Sequence, residues 1–290
     1  MASERFDMPA VDSHAHAFDL SRQGWGGDRG FDIQPNELGT APQFLHMLAS
    51  HGFTHGVLIN PLGGYGANNT YMLEAIAASG GRLKGVALLP DATPEPEIHR
   101  MVEGGIVGIR FNLDFPTSPP LLGPAGIRAL ARAREVGWFI QLHYHHSDSL
   151  LAVLPTLRAA KLPVVIDHCG RPDLAGGLDQ PGFRALLELG RSSDAIIKLS
   201  GIFRFSATDS PYADTDPHVA ALVEAFGIDR CIWGSDWPFL RARARTDFGP
   251  LLAALHRVVP VPAEREKVLW TNPARLFRMA PVPADEGRIA

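Results

Sequence analysis

Four stretches of the chain place acid–base, metal-binding or anion-binding side chains at the end of a short apolar run. They are Asp12-Ser13-His14-Ala15-His16, Asp167-His168-Cys169-Gly170-Arg171-Pro172, Lys198 and Ser200 followed by Arg204, and Gly234-Ser235-Asp236-Trp237-Pro238. His14 and His16 are two residues apart, so on an extended segment both imidazoles face one side. Two neutral imidazoles on one face suit a metal ion or the carbonyl of a substrate. Alone, such a pair is as readily a pair of surface or core histidines. His168 and Asp236 give it weight, because they occupy matching positions far away in the chain. Asp236 could be a turn or cap residue, but Pro238 follows closely and the next helical pattern starts well downstream. A carboxylate beside imidazoles is placed to accept a proton from water.

Arginines form a second signal. Arg110, Arg171 and Arg204 each sit on or just after an apolar run, and guanidinium forks bind carboxylates bidentately. Each alone is as readily a surface ion pair. The chain has 27 Lys+Arg against 31 Asp+Glu and a net charge of -4. Arginines that converge in such a chain point to a small anionic substrate rather than a general basic surface for nucleic acid. Arg241, Arg243 and Arg245 alternate after the last run and read as a solvated loop face, with contact between Arg241 and the ligand as the lesser alternative. In His143-Tyr144-His145, alternation points the two histidines one way and the tyrosine the other, unless a bulge intervenes. Gly63-Gly64-Tyr65-Gly66 lacks the Gly-Lys-Ser/Thr of a phosphate loop.

The elements that must position these residues alternate regularly. Expected strands are Ala10–Ser13, His55–Asn60, Lys84–Leu89, Ile106–Leu113, Trp138–Tyr144, Val164–His168, Ile196–Ser200 and Cys231–Gly234. Their near-continuous apolar character is that of strands covered on both faces of a parallel sheet. Helical spacing follows at Pro42–His51, Asn68–Ser79, Pro124–Val136, Ser147–Ala160, Pro181–Gly190, Pro217–Phe226, Phe248–Val258 and Glu264–Phe277. The chain is 290 residues long and 46% hydrophobic. A pattern of strands each followed by a helix at this length predicts one α/β domain over residues 1–290, a single (β/α)8 TIM barrel. A doubly wound sheet is the alternative, but no Gly-x-Gly-x-x-Gly follows the first strand. In a barrel the strand ends named above all lie at one mouth, and Asp12, two residues before His14, reads as an anchor of the turn at the barrel base. No apolar run is long enough to span a bilayer. The start of the chain, with Glu4, Arg5 and Asp7, lacks an apolar signal core, and the tail from Pro281 to Ala290 reads as frayed. Cys169 and Cys231 read as buried reduced thiols of a cytoplasmic protein. Nothing in the sequence speaks to oligomeric state.

Taken together, the four stretches, with Lys198-Leu199-Ser200-Gly201 and Trp233-Gly234-Ser235-Asp236-Trp237-Pro238 among them, resemble the amidohydrolase superfamily. More narrowly they resemble its 2-pyrone-4,6-dicarboxylate lactonase branch, which also contains sugar-acid lactonases, muconolactone hydrolases and lactone isomerases. The resemblance runs from about Val11 to Phe277 and implies hydrolysis of a carboxylated lactone. It implies Asp236 as general base, with His14, His16 and His168 around the lactone carbonyl. It further implies Arg110, Arg171 and Arg204 on substrate carboxylates, and Tyr144 as a strand-five substrate contact. The dicarboxylate lactonase carries a further arginine after strand four. Here that stretch reads Phe111-Asn112-Leu113-Asp114-Phe115-Pro116 and has none, so a monoanionic or differently substituted lactone fits as well. The dicarboxylate lactonase works without metal, while relatives in the branch use zinc. Strand four reads Val107-Gly108-Ile109-Arg110-Phe111, with no metal-bridging lysine, and the arginines oppose a dication. Metal-free turnover is therefore the expectation. A zinc-dependent hydrolase or decarboxylase, with His14, His16, His143 and Asp236 as ligands, and a barrel that only binds an organic anion are the alternatives. A pure binder needs no positioned base.

Overall fold

The computed structural model describes residues 8–22, 25–26 and 31–281. Glu4, Arg5 and Asp7 and the tail beyond Pro281 lie outside the described residues. Eight parallel strands run in sheet order one to eight: β1 (Val11–Ala15), β2 (His55–Ile59), β3 (Leu83–Ala87), β4 (Ile106–Asn112), β5 (Phe139–His143), β6 (Val164–Ile166), β7 (Ile196–Ser200) and β8 (Cys231–Gly234). Outside them lie α1 (Ala41–Ser50), α2 (Thr70–Ala77), α3 (Glu95–Glu103), α4 (Gly123–Glu135), α5 (Ser149–Ala160), α6 (Pro181–Ser192), α7 (Asp216–Phe226) and α8 (Phe248–Val258). This is the (β/α)8 barrel that the alternation predicts. The final helical stretch is α9 (Pro262–Glu266) and α10 (Asn272–Phe277), joined by a π-helical segment at Lys267–Thr271.

Helix α3 is absent from the sequence reading. Only Ile98 and Met101 of its residues are buried, so its apolar stripe is too thin to stand out from its charges. Strand β6 ends at Ile166, two residues short of the expected His168, because the chain turns there. No described helix is long and apolar enough to cross a membrane. Cys169 and Cys231 are free and buried, and burial raises both thiols to about 12.

Two features turn this barrel into a site. First, its lower interior is filled by an apolar cluster of Val11, Val57, Val86, Val107, Phe139, Val165 and Ile232, capped by Phe277 of α10. Above this cluster, polar side chains stack toward the mouth. Second, the pairing slips register in β1 between Asp12 and Ala15, and again where β3 meets β4. Such irregularities re-aim the side chains that follow them, here His14 on β1, His16 just after it, and Arg110 on β4.

The barrel closes between β8 and β1 through a side chain. The Asp12 carboxylate accepts hydrogen bonds from the Ser235 hydroxyl, from Ser235 N at 2.9 Å and from His14 N at 3.1 Å. Asp236 N then donates to His14 O at 2.8 Å, and His16 N to Trp237 O at 2.8 Å. Gly234 makes this approach possible, since a Cβ there would lie 2.6 Å from His14 N. Asp12 is thus an anchor, but of the seam beyond the end of β8 rather than of a turn at the barrel base. Burial pushes its carboxyl up to about 7 against those hydrogen bonds.

Candidate active site

The seam delivers Asp236 to the mouth with a left-handed backbone, φ 63°. Its carboxylate is fully buried. His16 Nε2 lies 3.6 Å and His14 Nε2 3.8 Å from Asp236 Oδ1, and His168 Nε2 lies 3.9 Å from Oδ2. Arg204 Nε ion-pairs with the same Oδ2, while its Nη1 donates to Leu240 O at 2.9 Å. Four sequence-distant residues therefore meet at one carboxylate. Burial alone would raise Asp236, but the Arg204 charge holds it below the usual carboxylate range. Burial also holds all three histidines below their ordinary value, and neighbouring Lys198, His14 and Arg110 reinforce it. The ring is neutral around a charged acid.

Each imidazole is fixed from behind. His16 Nδ1 donates to Ile59 O at 2.8 Å, which leaves Nε2 as an acceptor facing Asp236. His168 Nδ1 sits 3.0 Å from Ser200 Oγ. The turn carrying His168 is a left-handed run, with φ of 50° at His168, 56° at Cys169, 68° at Gly170 and 42° at Arg171. Gly201 makes room for it, since a Cβ at that left-handed glycine would lie 2.6 Å from His168 Nδ1. His14 Nδ1 meets a second acidic centre, Asp167, at 3.3 Å.

Asp167 is the hub beneath the site. Lys198 Nζ lies 3.1 Å from its Oδ1, Arg110 Nε 3.3 Å from its Oδ2, and Gln141 Nε2 donates to Oδ2 at 2.9 Å. Lys198 Nζ also reaches Gln141 Oε1 at 2.9 Å and His14 Nδ1 at 3.3 Å. Burial would raise Asp167, yet Lys198 and Arg110 hold it far below the carboxylate range.

Above this floor opens a cavity walled by His16, Arg110, His143, His145, His168 and Arg204, with Phe31, Phe115, Asn112 and Arg241 among the rest. His143 and His145 face it and Tyr144 does not, as strand alternation dictates. Tyr144 is buried, with its hydroxyl 3.0 Å from where a Gly170 Cβ would stand and without a hydrogen-bond partner. It packs beneath the His168 turn rather than lining the cavity. Arg171 is half-buried and is not among the residues that wall this cavity. Burial, with repulsion from Arg204, pulls it down to about 10.

From residue 11 to 279 the chain matches the amidohydrolase family. It belongs to that family. The amidohydrolase is 30% identical to the 4-sulfomuconolactone hydrolase of Rhizobium radiobacter over 92% of this chain and 89% of the relative. It is 28% identical to a 2-pyrone-4,6-dicarboxylate hydrolase of Comamonas testosteroni, covering 94% of this chain and 92% of that one. Among solved structures, it superposes with a TM-score of 0.82 and 32% identity on a probable 2-pyrone-4,6-dicarboxylic acid hydrolase of Acinetobacter baumannii with citric acid bound. That match covers 94% of this chain and all of the other. By family the protein is a hydrolase.

Among its described residues the amidohydrolase has one compact group able to hold a metal ion: His14, His168 and Asp236, with ligand atoms within 4.8 Å of one another. His14 Nε2 and Asp236 Oδ1 are buried and without hydrogen-bond partners, so the donor set fits a divalent ion such as zinc. His16 and His143 of the expected ligand set lie outside that group and His168 is in it; the His143 ring centroid is 5.4 Å from that of His168. Sequence reading assigned no role to Asp167, Lys198 or Gln141. The signal was present in strand alternation, which puts Gln141 on the side of His143 and Lys198 on the side of Ser200.

Proposed function

We propose that this amidohydrolase opens the ring of a carboxylated lactone by hydrolysis, with Asp236 as general base and the chain acting as one domain. The observation that carries the reading is a buried, ionised Asp236 ringed by three neutral histidines at the foot of an arginine-lined cavity. Two acceptors, Asp236 Oδ1 and His16 Nε2, face each other 3.6 Å apart. A water between them donates to both, and Asp236 takes its proton as it attacks the carbonyl. Lys198 donates into His14 Nδ1, so His14 presents an Nε2–H to the oxyanion. As the ring opens, Asp236 returns the proton to the departing oxygen. Arg110, Arg204 and Arg171 hold the substrate's acidic group. The relatives support this class, since their names describe hydrolases of a sulfomuconolactone and of a pyrone dicarboxylate.

A second reading rests on the His14–His168–Asp236 group. Those residues would hold a zinc ion, which would polarise the carbonyl as a Lewis acid. Against it, Arg204 already occupies Asp236 Oδ2, and Arg110 and Lys198 crowd the same floor with positive charge. The test is a panel of anionic and neutral lactones, read by acid release, before and after prolonged chelation with elemental analysis. Anionic lactones turned over at an unchanged rate after chelation support the metal-free reading. Stoichiometric zinc whose removal abolishes turnover, and whose return restores it, establishes the second. Equal turnover of neutral and anionic analogues removes the arginines from substrate binding.

A further inference from the structure

The histidines around Asp236 have their rings tied from behind: His16 to Ile59 O, His168 to Ser200 Oγ and His14 to Lys198 Nζ. His143, the last residue of β5, is buried and walls the same cavity. Its Nδ1 is buried without a hydrogen-bond partner among the described residues. The ring is nonetheless held in place. The His143 carbonyl accepts from Leu113 N at 2.9 Å. Ring centroids lie 5.4 Å away at His168 and 5.2 Å away at His145, both edge to face, and 6.2 Å away at Phe115, inclined by 25°. Burial, reinforced by Arg110, keeps His143 well below its ordinary value, so the ring is neutral and carries one N–H. With no acceptor at Nδ1, that proton belongs on Nε2, because an orphaned buried donor is the rarer case. A fixed, neutral donor thus stands at the cavity with no task inside the protein.

Ring opening supplies the missing acceptor. Asp236 and His16 hold the water, His14 meets the carbonyl oxygen, and arginines hold the acidic group. The ring oxygen has no donor while its bond to the carbonyl carbon breaks. With eight strands in sheet order one to eight, β5 stands across the barrel from β1. A lactone with its carbonyl toward the residues of β1 therefore turns the body of its ring toward His143.

We infer that His143 is a further catalytic residue, donating a hydrogen bond from Nε2 to the ring oxygen as that oxygen leaves. The inference rests on the lactone reading. The carbon–oxygen bond breaks, its electron pair passes to the ring oxygen, and the carbonyl re-forms. Asp236 supplies the proton it took from water, and His143 keeps its own. The test replaces the ring oxygen by sulfur, since a thiol is a far stronger acid than an alcohol and a thiolate leaves without such a donor. Muconolactone and 2-pyrone-4,6-dicarboxylate, each beside its thiolactone, are assayed with the wild-type chain and with His143→Phe, His143→Gln and His143→Asn, after thermal melts verify each fold. His143→Phe keeps a ring against Phe115 and His168 and removes both nitrogens. It should lower kcat about 100-fold on an oxygen lactone and less than about five-fold on the matching thiolactone. Gln places an amide N–H near the position of Nε2 and should recover about 10-fold of that loss, whereas Asn reaches only the position of Nδ1 and should not. Equal losses on lactone and thiolactone overturn the inference, as does an effect confined to KM, or a thiolactone left intact by a wild-type chain that opens its lactone. A wild-type chain that opens none of the four compounds overturns the lactone reading itself, and this inference with it.

Discussion

Asp236 carries its charge fully buried, and Arg204 holds it there. Asn at this position preserves shape but cannot take a proton, so Asp236→Asn should lower kcat by about 100-fold or more with an unchanged circular-dichroism spectrum. Turnover near that of the wild type would strip Asp236 of its role. Arg171 ends the turn that carries His168, three residues further along the chain, and lies outside the cavity wall, so it can reach only a substrate arm away from the carbonyl. Its contacts are alike in ground and transition states, so Arg171→Met should raise KM far more than it lowers kcat. An unchanged KM across active substrates would make Arg171 structural. The histidine pair, His168, Asp236 and the arginines were legible because chemistry-bearing residues stood at the ends of apolar runs. Asp167 was not, because a carboxylate just before His168 gives no hint of the lysine and arginine that reach it from β7 and β4.

Strand positions were readable from apolar runs, and β7 and β8 fall on their expected limits. The turn after β6 was not readable, since its four left-handed residues include His168, Cys169 and Arg171, types that rarely adopt that region. Packing against β7 holds the turn. Gly201→Ala places a methyl group on His168 Nδ1, and misplacing a reacting group by about 1 Å commonly costs about 100-fold in rate. The variant should therefore lose about 100-fold in kcat, with a stability loss of about 1–3 kcal/mol. A full kcat in that variant would show that His168 is not held from β7. The direction of Tyr144 was legible by alternation, but its place beneath the Gly170 turn depends on that same unread loop.

Across the whole molecule, His14, His16, His55, His143, His145 and His168 are all depressed by burial, His145 to about 4. The unfolded chain protonates them below about 6.5 while the native chain does not. More protons are then bound unfolded, so stability falls as pH drops from 7 toward 5, by about 1.4 kcal/mol per pH unit for each such proton. Asp12, raised to about 7, works the other way over that window, and Asp167 and Asp236 lose their contribution only in stronger acid. With six histidines against one aspartate, Tm should decrease steadily over that range. A Tm that is flat or rises on acidification would contradict the neutral ring. The seam between β8 and β1 carries a consequence for synthesis. Asp12 and Ser235 are 223 residues apart, and the acid at the mouth lies beyond both. Synthesis makes His14 and His16 before β2 to β8 and Asp236 only after β8, so a chain with only its first seven strands out of the exit tunnel holds the histidines without the carboxylate they surround.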